Sequence, residues 1–166
     1  MAFEFNYKKD GDDLFGSDLM ENLGFMLTSS INFALDGETT TNQDNLDVDL
    51  FTSDTASTKT NLTYDAGNDR YNCNSGQDYC TLITDVHTIG GSETVAIVKG
   101  DITKESTTVV TTSVSFDNGS NWTAVTEKEL SEILNAGTQL KIKWYFDRTG
   151  GNTGTDYITG YGCYYG

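Results

Sequence analysis

The stretch Ser113-Val114-Ser115-Phe116-Asp117-Asn118-Gly119-Ser120-Asn121-Trp122-Thr123-Ala124-Val125 decides the fold. A run alternating β-branched with polar residues enters it from Thr107, and a second short run leaves it. Between them, Asn118 and Gly119 tolerate positive φ, so the pair reads as the tight turn of a β-hairpin. A period of two sends alternate side chains to opposite faces of a sheet.

The same pattern continues on both sides. Downstream, Leu140, Ile142 and Trp144 alternate with Lys141, Lys143 and Tyr145. This predicts a strand with Trp144 on its core face, while Trp122 is expected to cap one end of the fold. Residues 126–134 are expected to form one or two helical turns, with Thr126 as cap, Glu129 as its capping-box partner and Gly137 closing the segment. Residues 157–165 give a last strand. Upstream, strands are expected near residues 48–52, 61–65, 70–74, 80–88, 94–99 and 107–116. Short alternating runs between Gly, Asn, Asp and Ser clusters indicate an all-β chain folded as an antiparallel β-sandwich.

Residues 1–46 differ. Phe3, Phe5 and Tyr7 alternate, the acidic turn Asp10-Gly11-Asp12-Asp13 follows, and Ser17 is placed to cap a short helix running to Met26. Ile31, Phe33 and Leu35 alternate again before a polar linker at 38–45. So few apolar residues cannot bury a core alone. The segment reads as an N-terminal attachment or assembly arm, with residues 47–166 as the sandwich domain.

With 166 residues, the chain can form a core without metals or disulfides. Nine Tyr, eight Phe and two Trp argue against disorder despite a hydrophobic fraction of 36%. With no proline, glycine and Asx residues must make the turns. A net charge of −15 repels nucleic acid and anionic lipid, so neither is expected as a partner. No segment is apolar enough to span a bilayer, and the start lacks the pattern of a signal peptide. Synthesis in a host cytoplasm combined with an extracellular style of β fold is what a virion component requires.

Three stretches together carry a resemblance. They are Val48 to Ala56 leading into Leu62-Thr63-Tyr64-Asp65-Ala66-Gly67-Asn68-Asp69-Arg70-Tyr71, the hairpin Ser113 to Val125, and Ala136-Gly137-Thr138-Gln139-Leu140-Lys141-Ile142-Lys143-Trp144-Tyr145-Phe146. The series resembles a jelly-roll-like module of virion and tail-fibre proteins of phages and archaeal viruses, and related modules occur in secreted carbohydrate-binding proteins. The resemblance implies a non-enzymatic virion structural protein of the head-decoration, head-fibre or tail-associated type. Its partners would be capsid or tail subunits and further copies of itself, a trimer among the arrangements. The alternative is a carbohydrate-binding module or receptor-binding tip that recognises host surface glycans.

The chemistry-bearing residues are few. His87 is the sole histidine and has no Gly-x-Ser-x-Gly elbow to serve, so it reads as a strand-end residue, with no catalytic residue assigned. Cys73 and Cys80 flank a short loop; a hairpin would set them opposite each other as a disulfide, and two small buried thiols are the other reading. No CxxC accompanies Cys163, so no metal site is assigned. No cofactor is expected; Ca2+ is the one ion left open, at Asp10–Asp13 or in the loop Asp65-Ala66-Gly67-Asn68-Asp69, where solvated turns are the alternative. Asn61, Asn118 and Asn121 stand in glycosylation sequons. Tyr157, Tyr161, Tyr164 and Tyr165 are the candidates for a ligand or interface surface, against the alternative that strand alternation divides them between core and exterior.

Overall fold

The computed structural model describes residues 46–149 and 155–166. The predicted arm therefore lies outside the described residues except for Leu46. The strands are β1 (Leu46–Asp49), β2 (Thr58–Thr60), β3 (Leu62–Asp65), β4 (Arg70–Cys73), β5 (Tyr79–Ile83) and β6 (His87–Thr88). They continue with β7 (Val95–Thr103), β8 (Val109–Ser115), β9 (Thr123–Val125), β10 (Ser131–Glu132), β11 (Gln139–Asp147) and β12 (Tyr157–Tyr165). Two six-stranded antiparallel sheets pack against each other. One runs β10-β7-β12-β4-β3, with β1 also on β12; the other runs β2-β5-β11-β8-β9, with β6 also on β11. The described residues form an all-β sandwich.

The pairing is nested about the Asn118-Gly119 turn. β8 pairs with β9 across it, then β7 with β10, β5 with β11, and β1 with β12. The chain behaves as one long ribbon, bent at that turn and rolled, so that β12 also meets β7 and β11 also meets β8. Strands β2 to β4 are an excursion between the first two legs. Asn61, at φ 56°, carries the chain from one sheet to the other between β2 and β3, and its Nδ2 donates to the Tyr79 carbonyl at 2.9 Å.

The ribbon's tip is held by one carboxylate. Asn118 and Gly119 have φ of 61° and 83°, as the sequence leads one to expect. Asp117 accepts from the Asn121 side chain (2.7 Å), the Ser115 hydroxyl (2.7 Å) and the Asn121 backbone N–H (2.9 Å). These bonds, the Asn121 side chain first, hold its carboxyl down to about 2. Because the folded value lies below the unfolded one, the stabilisation is complete above the ordinary carboxylate range and is lost as pH falls toward 2. Asp117→Ala is expected to lower the melting temperature by a few degrees at pH 7, with the gap to the parent closing at pH 2. Thermal melts of both proteins at the two pH values check this.

Three expectations need correction. Residues 126–134 form no helix. Lys128 sits at φ 67°, outside the helical region, and its N–H donates to the Val98 carbonyl at 2.8 Å. Ser131 and Glu132 then pair with Ala96 and Val95. The edge of β7 offers the backbone partners that a short isolated helix lacks. Gly137, accordingly, ends no helix. A Cβ there would lie 2.0 Å from the Phe116 carbonyl oxygen, so glycine is needed where the hairpin backbone crosses the approach to β11. The strand expected over 80–88 is split into β5 and β6. At the break, the Ile142 N–H donates to the Thr84 hydroxyl at 3.0 Å, a side chain replacing a backbone acceptor.

Candidate functional site

Along β11, Leu140, Ile142, Trp144 and Phe146 are buried, while Lys141, Lys143, Tyr145 and Asp147 take the opposite parity and face outward. Register places Thr81 and Thr111 on either side of Tyr145, and Tyr79 beside Asp147. The rings of Tyr79 and Tyr145 stack at 6.0 Å with an interplanar angle of 20°. They are 44% and 39% exposed, large values for aromatic residues on a sheet face. One step along the same face, the Lys143 ammonium lies 4.3 Å from the centre of the Trp122 ring, and partial burial pushes that amine down. Trp122 is half-buried, wedged between Gly119 of the hairpin turn and Lys143. The face thus offers two aligned aromatic planes, a row of small hydroxyls and an ammonium. Ring planes bind the C–H face of a sugar, while hydroxyls and an amine serve its polar edge.

The terminal tyrosines divide differently from a single ligand surface. Tyr161 and Tyr165 are buried, at 6% and 2% exposure, which removes both from any outward surface. An irregularity between Ile158 and Gly160 shifts the alternation, so that Tyr161, Cys163 and Tyr165 turn inward together. Tyr157 and Tyr164 are half-buried, and the Arg70 guanidinium lies 4.4 Å over the Tyr157 ring. Sequence reasoning missed Tyr79 and Tyr145. The signal for Tyr145 was available, since it has the parity opposite to Trp144.

His87 belongs to a network between the sheets. Its Nε2 lies 2.9 Å from the Tyr165 hydroxyl and its Nδ1 3.5 Å from Asp47 Oδ1. Tyr161 donates to Asp47 Oδ2 at 2.8 Å. Burial raises the Asp47 carboxyl, partly offset by Tyr161 and His87, and burial likewise pushes the Tyr161 hydroxyl far up. An acid, an imidazole and a hydroxyl stand in line, but the hydroxyl is a core phenol rather than an exposed nucleophile. The arrangement ties β1 and β12 of one sheet to β6 of the other.

A second buried cluster closes the opposite side of the core. Arg148 and Asp156 are both fully buried, and Arg148 Nε donates to Asp156 Oδ2 at 2.7 Å. Asp156 also accepts from the Thr108 hydroxyl (2.9 Å) and the Glu105 N–H (2.6 Å). Arg148 Nη1 donates to the carbonyls of Asn74 (2.8 Å) and Gln77 (3.1 Å) and approaches Cys80 Sγ at 3.7 Å. Cys73 and Cys80 are buried free thiols, and so is Cys163.

The remaining candidates serve turns. Asp65 accepts from the Gly67 N–H (3.1 Å) and the Asn68 side chain (2.8 Å), which closes that loop on itself. The acidic turn at residues 10–13 lies outside the described residues. Among the described residues, no three His, Cys, Asp or Glu side chains gather as a metal site. Of the sequon asparagines, Asn61 and Asn121 spend their side-chain amides on Tyr79 and Asp117, and Asn118 forms the exposed turn. The chain matches no protein-family model, and no curated protein is significantly similar to it in sequence.

Proposed function

We propose that this chain is a non-enzymatic virion structural protein, a jelly-roll sandwich displayed on a particle surface and attached through its N-terminal arm. The observation that carries the reading is the nested pairing about Asn118-Gly119. Eight of the strands, β1, β5 and β7 to β12, form two sheets ordered β1-β12-β7-β10 and β5-β11-β8-β9. A ribbon rolled this way is the jelly-roll scheme, which viral capsid domains and lectins share. Fold alone does not select a task, so the arm supplies the second support. It enters the sandwich at β1, which is paired with the central strand β12 and locked through Asp47 to Tyr161. A pull on the arm is then borne by a strand pair and a buried hydrogen bond, as tethering demands. In a particle-incorporation assay, deleting residues 1–45 is expected to leave a cooperatively melting sandwich that no longer joins particles. Undiminished incorporation of the truncated protein would contradict the attachment role.

A second reading, the receptor-binding tip, rests on the stacked Tyr79 and Tyr145. Both rings are exposed, so Tyr79→Ala and Tyr145→Ala are each expected to shift the melting temperature by only a few degrees. On a glycan array, each is expected to lose about fivefold or more in any signal the parent gives, since one stacking ring is worth on the order of 1 kcal/mol. Equal signals from parent and variants would remove this face from the site.

A further inference from the structure

Cys73 ends β4 in one sheet, and Cys80 lies in β5 of the other. Both face the core, at 2% and 0% exposure, and pack in the same buried cluster, where the Cys73 N–H donates to the carbonyl of Asp156, the ion-pair partner of Arg148, at 2.9 Å. Arg148 stands against Cys80 at 3.7 Å, and its Nη2 is buried without a hydrogen-bond partner among the described residues. Its Nη1 also grips the Asn74 and Gln77 carbonyls, so one guanidinium positions both the loop between the cysteines and the sulfur at its end. We propose that Cys73 and Cys80 form a redox-active dithiol in which Cys80, held beside Arg148, is the attacking sulfur and which closes to a disulfide joining the two sheets.

The electrostatics agree with that assignment of roles. The Cys73 thiol, followed by Arg148, lowers Cys80, whereas Cys73 is pushed far up by Cys80 and by burial. The thiolate is the reactive form of cysteine, so the two sulfurs are unequal before any oxidant arrives. Among the described residues, Cys163 has no such neighbour; burial pushes it well up, and its sulfur faces the Tyr164 carbonyl at 3.5 Å. The oxidant is hydrogen peroxide, small enough to pass the exposed loop at 75–79. The Cys80 thiolate attacks one peroxide oxygen, the O–O bond breaks, and hydroxide leaves, giving a sulfenic acid at Cys80. Cys73 then loses its proton and attacks Cys80 Sγ, expelling hydroxide, which that proton converts to water. Two thiols are oxidised, and one peroxide becomes two waters. The link closes across the core and restricts the unfolded chain.

The test treats the reduced full-length protein with hydrogen peroxide and follows intact mass, non-reducing peptide maps and thermal melting. The expected product has lost two hydrogens, yields one linked peptide containing Cys73 and Cys80, leaves Cys163 reduced and melts several degrees higher. In Cys73→Ser, reaction is expected to stop at a sulfenic acid on Cys80 that dimedone traps. In Cys80→Ser, Cys73 is expected to stay reduced over the same period. Oxidation of Cys163 at a matching rate in the parent protein, or dimedone labelling at Cys73 in Cys80→Ser, would overturn the proposal. The parent map alone decides the pairing even if a serine variant fails to fold.

Discussion

Trp144→Ala is expected to lower the melting temperature by roughly 10–20 °C, from a loss of about 3–5 kcal/mol. Trp144 has no exposed surface and heads the fully buried side chains by volume. Its ring meets that of Tyr161 at 5.3 Å, across the gap between the sheets. Its Nε1–H donates to Glu127 Oε1 at 3.2 Å, and the same carboxylate accepts from Thr112 at 3.0 Å and faces the Lys99 ammonium at 3.5 Å. Alanine would thus open a cavity at the sheet interface and remove one of the ties that hold the 126–134 segment inward. Trp144→Phe, which keeps most of the volume and loses only the N–H, is expected to retain the greater part of the stability. Urea titrations of the three proteins check the order parent, Phe, Ala. A melt of the alanine variant like that of the parent would place the indole outside the core.

The buried ion pair should be the other severe site. Removing one partner leaves the other charge buried and uncompensated, which costs about 3–5 kcal/mol. Arg148→Met is expected to reach that size, since Asp156 would keep only the Thr108 hydroxyl and the Glu105 N–H, and the Asn74 and Gln77 carbonyls would lose their donor. Asp156→Asn is expected to cost comparably, because it strands a guanidinium at 0% exposure. The double variant should be less damaging than the sum of the two, as no unpaired charge remains. A double-mutant cycle from denaturant midpoints measures this coupling, and simple additivity would show that the pair does not act as a unit.

How much of this was legible depended on where the information resides. The strands at 109–115 and 139–147 follow from period-two alternation alone, and the turn between β8 and β9 follows from Asn118-Gly119. The inward parity of Trp144 follows from the same rule. The segment 126–134 misled because Thr126 and Glu129 mimic a capping box while Leu130, Ile133 and Leu134 fall at helical spacing. In the fold, Ile133 is buried, but Leu130 and Leu134 are 57% and 76% exposed, and backbone pairing with β7 overrides local propensity. The terminal tyrosines divide between core and exterior, as strand alternation offered, but a bulge that composition does not reveal resets which of them face the core. The cluster of Arg148, Asp156, Cys73 and Cys80 was hidden for a different reason. The two cysteines flank one short loop and were candidates together, but Arg148 and Asp156 come from a distant stretch that only the rolled topology brings against them. Their partners Asn74, Gln77 and Glu105 contribute backbone groups, whose roles side-chain identity does not encode.

The proposed role depends on attachment to a particle. Its most direct test is to purify particles by density gradient from a culture that expresses the gene, and to quantify this chain and the major capsid protein in every fraction. The chain is expected to band with the capsid protein at a fixed ratio, and surface protease is expected to reach the sandwich on intact particles. Recovery of the chain only in the soluble fractions, with none in the particle band, would contradict it.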